Sequence, residues 1–311
     1  MWYNIINMEE IVMLKVENVS KYYGTLKAVD NLSFEVNDGE IFGLLGLNGA
    51  GKTTTFRMIM CLIDDYTGKI TLDGKKIDYN VTDKIGFLTE ERSLLTKMTV
   101  IEQVKFYAVL KGMKEEEIEK KLDYWLDRFG VSEYKNKKIK ELSKGNQQKI
   151  QFICAIIHEP KLLILDEPFS GLDPINVELF KSIILEFKEK GTSIIFSSHR
   201  MEHVELFCEK LMVLVKGKSV LSGYLKDIKE EYKKKNVIVC GDIDTKKIKS
   251  LDGVIEVLKE KEEHVIKIKD SSYVPKLFKE ISKFNNITKF VVEDASLNEI
   301  FIEKVGEAYE K

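Results

Sequence analysis

The segment Gly46 to Thr53, G-L-N-G-A-G-K-T, matches the phosphate-gripping pattern G-x-x-x-x-G-K-[ST] at every fixed position. Glycine at 46, 49 and 51 lets the backbone approach a ligand more closely than a side chain allows. Successive N–H groups from Leu47 through Asn48, Gly49, Ala50 and Gly51 to Thr54 can then wrap a β-phosphate at the start of a helix. Lys52 would reach the β- and γ-phosphates, and the Thr53 hydroxyl would ligate Mg²⁺. A purine nucleotide with that ion is the expected ligand. Farther on, L-L-I-L-D-E at Leu162 to Glu167 is an apolar run ending in paired carboxylates. Asp166 is placed to hold Mg²⁺ through water, and Glu167 to take a proton from the attacking water as general base.

Pro168 forces an abrupt exit from that run, and S-G-L-D follows, with Asp173 counted among the nucleotide contacts. L-S-K-G-N, Leu142 to Asn146, heads a helix, so Ser143 and the free N–H groups around Gly145 form a second anion site. His199, in S-S-H, would stand close to the γ-phosphate. His199, His203 and Cys208 could be drawn as a metal site, but no carboxylate completes it. His203 therefore reads as a helix-surface residue.

The elements needed to position these groups are legible. Ile41 to Leu45 reads as a buried strand and Thr53 to Cys61 as a helix, which puts the phosphate loop between them. Alternating segments between Leu14 and Asp73 predict strands, with Asp38-Gly39 as a hairpin signal. Ile85 to Leu88 is a further short strand. From Val100 to Phe129 the period is helical, with Val104, Tyr107, Ala108 and Leu110 on one face, and Tyr124 and Trp125 in the core. The Lys-rich run 135–140 reads as a solvated turn. Strand–helix alternation then resumes: helix 143–157, strand 162–165, helix 175–189, strand 193–196, helix 202–209. Continuously apolar short strands between helices predict a parallel sheet covered on both faces.

A charged stretch at 229–235 marks a boundary, and beyond it the order β-α-β-β-α-β predicts a ferredoxin-like sandwich with a last amphipathic segment, Leu297 to Val305. The fold class is thus α/β: a phosphate-loop NTPase core with a mostly parallel mixed sheet, an antiparallel β subdomain, a helical subdomain at about 92–160, and a small α+β domain. The expected domains are an N-terminal extension at 1–12, an ATPase domain at 13–228 and an accessory domain at 236–311.

Composition limits the partners. The 311 residues are 44% hydrophobic and 32% charged, with 49 basic against 51 acidic side chains and a net charge of −2. That balance gives no electrostatic case for nucleic acid. Cys61, Cys154, Cys208 and Cys240 are far apart and read as reduced, buried thiols. No apolar run reaches membrane-span length, and the first dozen residues, with Glu9 and Glu10, lack the basic start of a secretion signal.

Taken together, the motifs from Leu14 to Gly223 resemble the nucleotide-binding subunit of an ATP-binding cassette (ABC) transporter. The resemblance implies that Tyr23 stacks on adenine, and that Ser143 and Gly145 contact ATP held by a second copy across a head-to-tail dimer. K-Y-Y-G, G-A-G-K-T-T-T-F-R-M-I, L-S-K-G-N-Q-Q-K and the closing S-L-N-E-I-F-I-E-K-V-G are similar to the single-cassette ATPases of bacterial sodium-extrusion and antibiotic- or peptide-export systems. It implies a separately encoded integral membrane permease as partner, a homodimer or paired cassette, and a place at the cytoplasmic face of the cell membrane. A permease-docking patch between Arg92 and Phe106 rests on this resemblance.

Two positions depart from the family. Leu47 stands where proline is usual, without changing a phosphate ligand; Glu90 stands where glutamine usually touches Mg²⁺ and the water. Glu90 is expected to be a metal-site residue. The alternative, a soluble cassette ATPase acting on ribosomes or DNA, calls for a second cassette or a coiled-coil insertion, and this sequence has neither. A small-molecule kinase of the phosphate-loop class has no use for L-S-K-G-N.

Overall fold

Leu14, Val16 and Val19 are buried on one long strand and Val29, Leu32, Phe34 and Val36 on the next. In the computed structural model, which describes residues 12–91 and 93–310, these strands are β1 (Val12–Tyr23) and β2 (Leu26–Asn37), paired antiparallel. Apart from Val12, the expected N-terminal extension lies outside the described residues, as does Arg92. The chain divides into two compact units, Met1–Ser222 and Gly223–Lys311.

In the first unit β3 (Ile41–Gly46) is buried along its whole length, as a central parallel strand must be. It leads through the phosphate loop into α1 (Lys52–Ile59). β4 (Thr67–Leu72) and β5 (Lys75–Lys76) complete an antiparallel sheet in the order β2-β1-β4-β5. Asp38-Gly39 does form a turn, but it is no hairpin: β2 and β3 belong to different sheets. The Ser193 hydroxyl accepts from Gly39 N and donates to the Asn37 carbonyl, so the turn serves as a corner pinned to a distant segment.

β6 (Ile85–Leu88) opens the region of α2 (Val100–Leu110), α3 (Glu115–Arg128) and α4 (Lys144–Ile156). The expected continuous helical period breaks between α2 and α3. On α2 the buried residues are Val100, Gln103, Val104 and Ala108, while Leu110 is 52% exposed. Two residues beyond Ala108 is about 200° around the helix, so Leu110 points away from that face. Trp125 is buried, but Tyr124 is 54% exposed, contrary to its expected core position.

β7 (Leu162–Asp166), α5 (Pro174–Glu189), β8 (Ser193–Ser197), α6 (Met201–Phe207), β9 (Lys210–Val215) and β10 (Lys218–Tyr224) follow. The central sheet runs β10-β9-β3-β8-β7-β6, with the β9-β3-β8-β7-β6 pairings parallel. Stacked and edge-on rings of Trp125, Phe129, Phe152, Phe180 and Phe187 lock α3, α4 and α5 together. Cys154 and Cys208 are buried, Cys61 and Cys240 only partly, and all are free thiols.

In the second unit α7 (Leu225–Glu231) precedes β11 (Lys235–Cys240), α8 (Thr245–Lys249), β12 (Val254–Glu260), β13 (Glu263–Ile268), α9 (Val274–Ile281), β14 (Lys289–Asp294) and α10 (Leu297–Glu310). The antiparallel order β12-β13-β11-β14 is the ferredoxin-like arrangement. Val237, Val239, Ile266 and Ile268 pack on Ile248, Leu277 and Ile281 to form its core. The charged 229–235 stretch belongs to this unit, where Tyr232 and Lys234 both reach Glu303 of α10.

Candidate active site

Gly51 precedes α1 with φ 108°, a left-handed conformation, and a Cβ there would lie 2.6 Å from the Ala28 carbonyl. Glycine is required on both counts. The first turn of α1 carries no acidic residue and no side-chain cap, which leaves its N–H groups free for an anion. Lys52 Nζ donates to the Gly46 carbonyl at 2.7 Å and the Leu47 carbonyl at 3.3 Å, so the ammonium is folded back over the loop.

Behind the loop, the end of β7 delivers the acids and the end of β8 delivers Ser197. Thr53 Oγ1 donates to Asp166 Oδ2 at 3.3 Å, and Ser197 Oγ donates to Asp166 Oδ1 at 2.6 Å. Glu167 N donates to both the hydroxyl and the carbonyl of Ser197 at 3.2 Å. Glu167 itself sits at φ 50°, rare for a residue with a side chain and characteristic of functional turns. Its Oε2 lies 2.8 Å from His199 Nδ1. Burial pushes both carboxyls above the usual range; hydrogen bonds from Ser197 to Asp166 and from His199 to Glu167 pull the other way. A raised carboxyl is a better proton acceptor at neutral pH than an ordinary one.

A cavity of about 480 Å³ is lined by Tyr23, Asn48, Gly49, Ala50, Gly51, Lys52, Thr53, Thr54, Glu90 and Glu167. Thr53 and Glu90 also line an adjoining cavity of about 290 Å³ that includes Asp166. The expected residues from distant parts of the chain therefore meet at one place. Leu47 is half-exposed outside the larger cavity, to which it contributes its carbonyl's hold on Lys52. His199 is reached through Glu167.

Three expected nucleotide contacts lie elsewhere. Ser143 caps α4, its hydroxyl accepting from Asn146 N at 3.3 Å, and both Ser143 and Lys144 are exposed. Among the described residues a Cβ on Gly145 would meet nothing within 4 Å, so no contact shown there demands glycine. Asp173 caps α5 by accepting from Asn176 N at 3.0 Å, which holds its carboxyl below the usual range. His203 is buried, not on the surface: its ring lies edge-on to Phe169 at 4.7 Å. Among the described residues no group of three or more His, Cys, Asp or Glu side chains is placed to hold a metal ion, so His199, His203 and Cys208 do not come together as one.

Sequence motifs missed Ser197, Leu26, Lys27, Ala28 and Lys216, all of which touch the site or its acids. S-S-H held the clue for Ser197; the others carry no local signal.

Residues 29–170 match the ABC transporter family model, and residues 223–305 match the C-terminal domain of DrrA1-3-like ATP-binding proteins. The uncharacterized ABC transporter ATP-binding protein YhaQ of Bacillus subtilis (strain 168) is 49% identical over 96% of this chain and 100% of its own length. The chain belongs to the ABC transporter ATP-binding proteins. The lipopolysaccharide export system ATP-binding protein LptB of Haemophilus influenzae is 32% identical over 72% of this chain and 96% of its own. A solved dimeric bacterial cassette, in a post-hydrolysis state bound to ADP and Pi, superposes with a TM-score of 0.63 at 26% identity, covering 68% of this chain and 99% of that one. ABC ATP-binding proteins bind and hydrolyse ATP, dimerise and work with membrane permeases. Among the described residues no helix is long and apolar enough to cross a membrane.

Proposed function

We propose that this ABC ATP-binding protein is a Mg²⁺-dependent ATPase that drives an exporter from the cytoplasmic face of the membrane, through a separately encoded permease. The observation that carries the chemistry is the chain of contacts from Thr53 through Asp166 and Ser197 to Glu167 and His199.

Tyr23 supports adenine, the N-terminus of α1 and Lys52 hold the phosphates, and Glu167 takes the proton as water attacks the γ-phosphorus and ADP leaves. His199 holds the Glu167 carboxylate in place beside that phosphate. The Thr53 hydroxyl, Asp166 and Glu90 are hard oxygen donors around adjoining cavities, the set that suits Mg²⁺. That ion, when bound, neutralises charge developing on the phosphates.

Ser143 is exposed at the start of α4, and the open space over Gly145 supports a role for both toward ATP held by a second copy. A groove of about 420 Å³ lined by Leu62, Phe87, Ser93, Leu94, Tyr107 and Leu110, with Phe106 44% exposed nearby in sequence, supports permease docking; Arg92 of the expected patch is outside the described residues. The export system named for LptB supports the direction of transport.

Glu167→Gln keeps the phosphate grip and removes the base. Size-exclusion chromatography with Mg-ATP is expected to show a trapped dimer, with turnover reduced about 10²–10⁴-fold. A monomer hydrolysing at the parent rate would refute the assignment.

A further inference from the structure

We infer that Gln151 is a positioning residue for Glu90, tying the loop that carries it to α4. The inference rests on the metal-site reading of Glu90 given above.

Gln151 is 3% exposed on α4. Its Nε2 lies 3.0 Å from the Thr89 carbonyl, 2.8 Å from Thr89 Oγ1 and 3.2 Å from the Glu91 carbonyl. Those oxygens bracket Glu90 in the chain. One side-chain amide thus grips the backbone immediately before and immediately after a residue that lines both site cavities. The amide orientation follows from the contacts, because turning it over would set Oε1 against the same oxygens. Among the described residues Oε1 has no hydrogen-bond partner, and the three contacts of Nε2 all go to the Glu90 loop. Burying an amide costs desolvation that an aliphatic side chain filling the same space would avoid.

The backbone supports the grip. At Gly86 in β6 a Cβ would lie 2.1 Å from the Ala155 carbonyl, so α4 rides directly on the strand from which the loop emerges. Gln148, on the same helix, donates to the Pro168 carbonyl at 3.4 Å, next to Glu167. A shift of α4 is therefore transmitted to both Glu90 and the segment after the general base. Since Ser143 and Gly145 stand at the start of α4, Gln151 links the L-S-K-G-N end of the helix to the chain's own nucleotide cavity.

The test uses the full chain and a non-hydrolysable ATP analogue, whose binding is titrated across Mg²⁺ concentrations. Gln151→Met keeps an unbranched, similarly sized side chain and removes both N–H donors. We expect it to raise the Mg²⁺ concentration for half-maximal tight binding about tenfold, the low end of effects from partners that orient metal ligands. Glu90→Gln should raise it too, and the double variant should match Glu90→Gln alone, because Gln151 acts through Glu90. Metal-free affinity should stay at the parent value in Gln151→Met. A parental Mg²⁺ requirement in Gln151→Met beside a shifted Glu90→Gln overturns the inference, as does a double variant in which the effects multiply. An unshifted Glu90→Gln refutes the metal-site reading and with it this linkage. If Gln151→Met does not fold, Thr89→Val, which removes a hydroxyl acceptor from the loop side, is read in the same way.

Discussion

Ser197 belongs to no motif that names a chemistry, yet its hydroxyl touches both acid-bearing residues of the site. Donating to Asp166 Oδ1 leaves Oδ2 turned toward Thr53, and accepting from Glu167 N helps hold the left-handed backbone at that residue. Ser197→Ala removes the donor while leaving the Ser197 carbonyl as partner of Glu167 N. The expected result is a fall in turnover of about tenfold or more, with a raised Mg²⁺ requirement and unchanged metal-free nucleotide affinity. Steady-state ATPase assays across Mg²⁺ concentrations check this; parental kinetics would mean that Asp166 needs no help in orientation.

At the scale of elements, α3 and α5 are joined by rings and by the Arg128–Glu186 ion pair. Arg128 also stacks over Trp125 at 5.4 Å and donates to the Tyr124 hydroxyl at 3.0 Å. Arg128, with Lys190 beside it, holds the Glu186 carboxyl down to about 2. A carboxyl depressed in the folded state adds stability above its unfolded pKa, about 4.3, and loses it as pH falls toward the folded value. Arg128→Gln should cost about 0.5–1 kcal/mol near pH 7, since the pair is partly exposed to solvent. The gap from the parent should narrow between about pH 5 and pH 3. Urea unfolding at a series of pH values measures it, and a gap constant across that range would assign the loss to packing against Trp125.

The whole molecule poses the question of where the second half of the ATP site comes from. Residues 48–54 of the phosphate loop, Glu167 and Tyr23 line one cavity, while the cap of α4 does not. If Ser143 acts on a second copy, Lys52→Ala and Ser143→Arg disable different halves. A mixed dimer of the two then keeps one intact composite site, whereas neither homodimer has any. Mixing the inactive variants one-to-one should restore measurable ATPase activity, about half the parental value per mixed dimer and about a quarter across the randomly paired mixture if sites act independently. A mixture no more active than its parts removes the support for a head-to-tail pair. Among the described residues the second unit, by contrast, offers no acid–base constellation like that of the first.

The phosphate loop was legible because its chemistry is local. Gly46 to Thr53 are neighbours in sequence, and an apolar strand followed by a helical period fixes their placement. The ferredoxin-like order was legible for the same reason, each strand and helix announcing itself by its own period. Contacts between distant segments were not. Nothing near Asp38-Gly39 says that β2 and β3 enter different sheets, since turn chemistry specifies a reversal and not the sheet each arm joins. His203 is buried because Phe169 arrives from another element, and Tyr124 is exposed because Trp125 takes the inward direction. Lys27, Lys216, Ser197 and the grip of Gln151 on residues 89 and 91 likewise exist only once the sheet is assembled. Sequence determined which groups could do the chemistry. Tertiary structure decided which backbone and side-chain partners hold them, because hydrogen bonds and close packing are set by distances in space that periodicity along the chain does not encode.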